Sequence, residues 1–263
     1  MHWQSSPYFE STRFESEENA VAKIRLDQLL VDRELVPSHN KAQALIQLGK
    51  VLVNEVVIEK SGTRFKLDVT IRIRGQNQRF VSRGGEKLEG ALAHFNIDCT
   101  GLTAADIGAS TGGFTDCLLQ RNIKKVYAID VGYGQLAWTM RQHPNVIVME
   151  RCNARHLESL PEPIELIVGD VSFISITKIL PAMKRIAAPN ALGVLLIKPQ
   201  FEVGRTDTVG GLVKDPKIRQ EAIDRVSAEF QSAGCQIIGH VASSIAGAKK
   251  GNIEELVYLH FSK

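Results

Sequence analysis

The 263-residue sequence predicts an α/β fold: a mostly parallel sheet with helices on both faces and one antiparallel strand at its edge, preceded by a small α+β domain. Three observations predict it. From about Leu102 onward, short apolar runs alternate with helical patterns over about 160 residues, the rhythm of parallel strands joined by crossover helices. Before that point come two short helical patterns and a hairpin, carrying a surplus of positive charge. Third, a glycine-rich turn separates the first long-domain strand from the helix that follows it.

The elements follow in order. Residues 1–22 show no periodicity and are expected to form a flexible tail. Ile24, Leu26, Leu29 and Leu30 then fall on a helical spacing through Val31. After Val36-Pro37, Ser38 is placed to cap a helix over Asn40–Leu48, with Gly49 as its stop. Lys50–Val57 reads as a hairpin about Asn54-Glu55, with further strands at Val69–Ile73 and near Phe80-Val81. This small domain is expected over residues 23–75, with a linker over 76–90 and the larger domain over 91–263. There the strands are Thr103–Ile107, Lys125–Ile129, Val146–Met149, Leu166–Gly169, Ala191–Ile197, Cys235–Val241 and Glu255–His260. Helices fit between them at Phe114–Gln120, Gln135–Gln142, Ile176–Ile186 and Asp215–Ala233. The last two strands have no room for a helix between them, so one runs antiparallel at the sheet edge.

Composition excludes several classes. Cys99, Cys117, Cys152 and Cys235 are scattered, with no Cys-x-x-Cys pair or clustered histidine, which argues against a zinc site or a disulfide framework. No metal is expected. Apolar runs such as Gly193–Ile197 fall far short of the roughly 20 residues that span a bilayer, so a soluble, cytoplasmic protein is expected. Net charge is only +3, but 13 Lys/Arg face 8 Asp/Glu between Val21 and Gly90, against one Arg and four Glu in the first twenty residues. A locally basic segment is the electrostatic footprint of a phosphate-binding surface, and also of a plain solvated face.

Chemistry concentrates at strand ends. The first strand of the larger domain runs into Asp106-Ile107-Gly108-Ala109-Ser110-Thr111-Gly112-Gly113-Phe114-Thr115. A glycine-rich turn between a strand's carboxyl end and a helix lets backbone N–H groups approach a ligand closely. Its glycines are spaced G-x-x-x-G-G, unlike the G-x-G-x-x-G of a dinucleotide fingerprint. The next strand ends at Asp130, where a carboxylate reaches the ribose hydroxyls of an adenosine-containing ligand. Asp170-Val171-Ser172-Phe173-Ile174-Ser175 ends the fourth strand, and Lys198-Pro199-Gln200-Phe201-Glu202 ends the fifth. Lys198 therefore emerges at the ligand-binding edge beside Asp170. A surface lysine paired with a carboxylate would look the same; a working one needs burial or neighbouring cations that let it steer a hydroxyl proton.

These segments, together with Ser82–Leu88 and Asp130–Trp138, resemble the TlyA family of ribosomal RNA 2′-O-methyltransferases, historically named hemolysins and related to FtsJ-type enzymes. The resemblance covers about residues 23–261 and implies a Rossmann-like methyltransferase sheet, with S-adenosylmethionine as cofactor and a small ribosomal-protein-like RNA-binding domain in front. Carried over by motif, it implies a catalytic tetrad of Lys87, Asp170, Lys198 and Glu254, with Glu255 as the neighbouring alternative register. It also implies a cofactor pocket of Asp106, Gly108, Ser110, Thr111, Gly112, Gly113 and Phe114, with Asp130 on the ribose and Asn153 at the adenine edge. The loop Ser243–Gly251 departs from the family in lacking prolines near Ser244 and Ala248. Family members acting on both ribosomal subunits tend to have longer C-terminal tails, which favours large-subunit RNA, with cytidine as the target.

The resulting expectation is in-line methyl transfer to a ribose 2′-hydroxyl, accelerated by positioning and by charge stabilisation at Lys198 and Asp170. Arg25, Arg33, Lys41, Lys50 and Arg64 are the candidates to grip RNA phosphates, with binding that weakens steeply as salt rises. Two other readings remain open at this point: a catalytically silent RNA-binding assembly factor, and a membrane-lysing protein, for which no insertion segment is found.

Overall fold

A computed structural model describes residues 23–33, 35–74, 79–245 and 251–262. The expected tail, residues 75–78 of the expected linker and residues 246–250 of the proline-poor loop lie outside the described residues.

The N-terminal domain is built from β1 (Lys23–Arg25), α1 (Leu26–Asp32), α2 (His39–Gln47), β2 (Val51–Val53), β3 (Val56–Val57), β4 (Arg64–Lys66) and β5 (Ile71–Ile73). The helical spacing read from Ile24 begins in fact at Leu26, because Lys23–Arg25 pair antiparallel with Arg64–Lys66. Ser38 caps α2 by accepting the Lys41 N–H at 3.3 Å. Asn54 and Glu55 both take left-handed φ, +48° and +66°, which is the twist a two-residue hairpin needs. Leu26, Leu30, Ile46, Val51 and Val53 form the core between the helix pair and the β3-β2-β5 sheet.

The larger domain begins earlier than expected. Residues 84–90, assigned to the linker, belong to α3 (Gly84–His94), whose Lys87, Leu88, Ala91 and Leu92 are buried. Helix α3 packs against α4 (Gly113–Gln120) at a crossing of glycines. A Cβ on Gly113 would collide with Ser82 Oγ and come within 2.8 Å of the Gly85 nitrogen, so only glycine allows this approach. The strand expected at Phe80-Val81 does not form: Phe80 packs into the core beside Leu88 and Phe114, and the Val81 N–H donates to Asp116 at 2.8 Å.

The sheet comprises β6 (Thr103–Ile107), β7 (Lys125–Ile129), β8 (Val146–Met149), β9 (Ile164–Gly169), β10 (Ala187–Ile197), β11 (Cys235–Ala242) and β12 (Glu255–Phe261). Their spatial order is β11-β12-β10-β9-β6-β7-β8. The antiparallel strand at this edge is β12, which inserts between β10 and β11 and pairs antiparallel with both. All other pairs are parallel. Apolar clusters cover both faces, one including Ile107, Ile129, Ile167 and Leu195, the other Ala104, Val126, Val168 and Val194. Alternate residues of each strand thus enter opposite cores, which is why these strands read as unbroken apolar runs rather than alternating ones.

The crossover helices are shorter than their apolar patterns. Only Trp138–Arg141 is helical within the expected Gln135–Gln142 (α5). The pattern Ile176–Ile186 splits into a 3₁₀ turn and α6 (Leu180–Ile186), because Pro181 belongs at a helix start. A single turn, α7 (Pro199–Glu202), follows Lys198, and α8 (Pro216–Ser232), capped by Asp215, precedes β11. Among the described residues, no helix is long and apolar enough to cross a membrane.

Candidate active site

The site forms where β6, β9 and β10 end side by side. Gly108 leaves β6 with φ +84°, and a Cβ there would lie 2.7 Å from the Asp170 carbonyl oxygen. The turn can therefore run directly against the end of β9 only as glycine. Ser110 and Gly112 follow with φ of +47° and +98°, folding the chain back into α4 with no side chain capping the helix N-terminus. Asp130, at the end of β7, ties this turn down: its carboxylate accepts the Ser110 N–H at 2.8 Å and the Gly132 N–H at 2.7 Å.

Four charged side chains meet beyond the turn. Lys198 is held at the end of β10 by the fully buried Leu195 and Ile197, and is itself 6% exposed. Its Nζ lies 2.5 Å from Asp170 Oδ1 and donates to Ser172 Oγ at 2.8 Å. Lys87 reaches in from α3, 3.9 Å from Asp170 Oδ2 and 2.8 Å from Glu254 Oε2. Glu254 also accepts from Gln200 Nε2 at 3.1 Å. Glu255, one residue on, points elsewhere and pairs with His240 at 3.1 Å. Burial alone would raise the Asp170 carboxyl, but Lys198 and Lys87 outweigh it and hold the pKa below the usual carboxylate range.

A cavity of about 70 Å³ opens at this network, lined by Gly108, Ser110, Thr111, Gly113, Phe114, Asp170 and Lys198, and also by Ser82, Gly84, Ser172 and Arg33. Gly112 supports the lining from behind, against Leu136 and Met140. Asp106 does not reach the cavity. It lies fully buried under the turn, where Thr115 Oγ1 donates to its Oδ2 at 2.6 Å. Asn153 is exposed outside the cavity, its side-chain oxygen accepting the Arg155 N–H.

Arg33 is the principal correction among the residues expected to bind RNA. Its side chain is buried rather than free for phosphates: Nη1 donates to the Val69 carbonyl at 2.6 Å, Nη2 to that of Leu67, and the residue is part of the cavity wall. Burial lowers it to about 10, with the Asp68 charge opposing the shift, so it stays cationic at neutral pH. Lys41, Lys50 and Arg64 are exposed, whereas Arg25 is half-exposed and bidentate to Asp27. Sequence reasoning also left Ser172, Gln200 and Phe173 without a role. Phe173 is 83% exposed with φ +66°, and its ring sits 5.3 Å from that of Phe201. A bulky residue held in that conformation is a strain signal only the backbone reveals.

Burial raises the Asp106 carboxyl to about 7, partly offset by the Thr115 hydrogen bond. Its folded pKa lies above its ordinary value, so its stabilising contribution is complete below about pH 4 and lost as pH rises through about 7. Replacing it with asparagine should remove this loss. Relative to the parent, Asp106→Asn is expected to gain up to about 4 kcal/mol between pH 4 and pH 8. Urea melts across that range check the result, and parallel stability curves would refute it.

The glycine turn after β6 and the buried lysine–carboxylate network thus share the carboxyl end of the sheet. The pattern defining the FtsJ-like methyltransferases matches residues 80–261, and that of the S4 domain matches residues 24–71. The chain belongs to the FtsJ-like methyltransferase family. The FtsJ-like segment includes Lys87, Asp170, Lys198 and Glu254, and its start agrees with α3 being part of the larger domain. A Mycobacterium tuberculosis protein named 16S/23S rRNA (cytidine-2′-O)-methyltransferase TlyA is 42% identical over 241 residues, covering 90% of each chain. A Campylobacter jejuni relative named 23S rRNA (cytidine-2′-O)-methyltransferase TlyA is 32% identical, covering 87% of this chain and 96% of that one. The solved structure of a Streptococcus thermophilus protein with a provisional hemolysin label matches at a TM-score of 0.79 and 38% identity, over 93% of this chain and 90% of that one.

Proposed function

We propose that this chain uses S-adenosylmethionine to methylate the 2′-hydroxyl of a cytidine in ribosomal RNA, in the cytoplasm. The observation that carries the reading is the buried Lys198–Asp170–Lys87–Glu254 network, set at the carboxyl end of the sheet beside the glycine turn. The named activities of the relatives supply the substrate class, and the Campylobacter relative's name favours large-subunit RNA.

The residues present fit the cofactor. Gly108, Ser110, Thr111 and Gly113 of the glycine turn line the cavity, and the buried Arg33 Nε has no hydrogen-bond partner. Ser110, Thr111, Gly113 and Phe114 would hold the cofactor along the turn, with Gly112 backing them and Asp130 and Asn153 on its adenosine side; Asp106 would support the turn from beneath. When bound, S-adenosylmethionine would supply an electrophilic methyl group and leave as S-adenosylhomocysteine, the hydroxyl proton being lost in the transfer. Lys198 Nζ holds that hydroxyl oxygen and offsets the charge that develops on it. Asp170, kept ionised by two ammonium groups, orients Lys198 and accepts the hydroxyl hydrogen bond, while Lys87 and Glu254 fix Asp170 from behind. The exposed Phe173 ring offers a surface on which an unstacked base can rest. Lys41, Lys50, Arg64 and the free edge of Arg25 grip phosphates.

The test is incubation with methyl-labelled S-adenosylmethionine and unmethylated small subunits, large subunits or free ribosomal RNAs. Label is expected in one RNA as an alkali-resistant 2′-O-methyl nucleotide. Cofactor binding without label in any of them would overturn the catalytic reading in favour of an RNA-binding assembly factor.

A further inference from the structure

The cavity beside the glycine turn belongs to the FtsJ-like domain, yet one of its walls comes from the other domain. Arg33 closes α1 of the N-terminal domain, and it lines the cavity with Ser82, Gly84 and Gly113. The two domains also touch at Leu67, whose Cβ lies 3.4 Å from where a Gly134 Cβ would be. Leu67 and Val69 supply the carbonyls that orient Arg33, so the contact and the orientation are set by one segment.

A guanidinium carries five N–H donors, and backbone carbonyls take two of them here. Arg33 is 8% exposed, and its Nε is buried without a hydrogen-bond partner. No carboxylate forms an ion pair with it among the described residues. At the same cavity, α4 begins at Gly113 with its N-terminus uncapped by any side chain. One cavity is therefore lined by a fixed cation and by the positive end of a helix. Both call for an anion. The cavity of about 70 Å³ has room for a carboxylate, and Arg33 is among the residues that line it.

Resting on the cofactor reading above, we infer that Arg33 completes the cofactor site from the N-terminal domain by pairing with the carboxylate of the methionine moiety of S-adenosylmethionine. That carboxylate is the cofactor's single anionic group; its other charges, ammonium and sulfonium, are repelled by an arginine. Arg33 thus selects for the intact amino-acid end of the cofactor, and cofactor affinity depends on how the N-terminal domain is seated.

Calorimetry on the full-length chain tests this with two probes, S-adenosylmethionine and its decarboxylated analogue. The parent is expected to bind the intact cofactor about 10- to 100-fold more tightly, the range for a charge-assisted pair. In Arg33→Met that preference should collapse to within about threefold, through weaker binding of S-adenosylmethionine, while the analogue's affinity holds. Arg33→Lys, which keeps the charge but not the fork, should fall between them. Equal losses for both probes in Arg33→Met would make Arg33 a structural brace and overturn the inference, whether or not the variant is less stable. Tighter binding in Arg33→Met would also overturn it, by showing that the side chain obstructs the site. A parent chain that binds neither probe overturns the cofactor reading itself, whereas a parent that binds both equally overturns only the role of Arg33.

Discussion

Lys198→Met is expected to lower methyl transfer by about 10²- to 10⁴-fold under single-turnover conditions, while S-adenosylmethionine affinity stays within a few-fold of the parent. The Nζ group sits at the strand end, 2.5 Å from Asp170 and 2.8 Å from Ser172. Its loss removes the charge facing the acceptor oxygen but leaves the cradle that holds the cofactor. Methionine retains the packing of the aliphatic stem, and Asp170 keeps a second cation in Lys87 at 3.9 Å. The stability cost is therefore modest, about 1–3 kcal/mol. Methyl incorporation within tenfold of the parent would remove Lys198 from the chemistry and leave it a partner for Asp170.

The largest effect on stability is expected at Lys87. This side chain is 2% exposed, and it is the ion-pair partner of Glu254, also 2% exposed. Lys87→Met strands a buried carboxylate that, among the described residues, retains only the Gln200 hydrogen bond at 3.1 Å, and should cost about 3–5 kcal/mol. Neutralising the stranded charge in Lys87→Met/Glu254→Gln should restore most of that loss, because an apolar–amide pair carries no desolvated charge. Urea denaturation reads both variants. The double variant should regain stability without regaining methyl transfer, since Asp170 then answers to Lys198 alone. A double variant as unstable as the single one would place the cost in lost packing around the lysine stem instead.

Much of this site was legible along the chain. Gly108 and Gly112 announce a turn with left-handed φ, Asp130 stands at the following strand end, and Asp170 and Lys198 terminate apolar runs that read as neighbouring strands. Strand ends are legible because burial on both faces writes a continuous apolar run that stops where the ligand edge begins. Lys87 and Glu254 are different. They lie 167 residues apart and were assigned by family resemblance, since no local pattern states that a helix before the sheet and a loop before its last strand converge. Helix lengths were overstated for the same reason that strands were not: at Gln135–Gln142 and Ile176–Ile186 apolar spacing persists through turns that the sheet packs but does not wind.

The sequence by itself determined the two-part organisation, the parallel sheet with its antiparallel strand, and the strand-end positions of Asp130, Asp170 and Lys198, because these follow from periodicity and turn chemistry acting over a few residues. The tertiary structure alone decided which charges are spent internally. It buried Asp106 beneath the turn, set Glu254 rather than Glu255 against Lys87, and withdrew Arg33 from the basic surface into the wall of the cavity. An arginine written in a sequence has the same charge everywhere; whether it meets a phosphate, a carbonyl or a cofactor depends on which surface buries it, and that surface is made only when two domains pack.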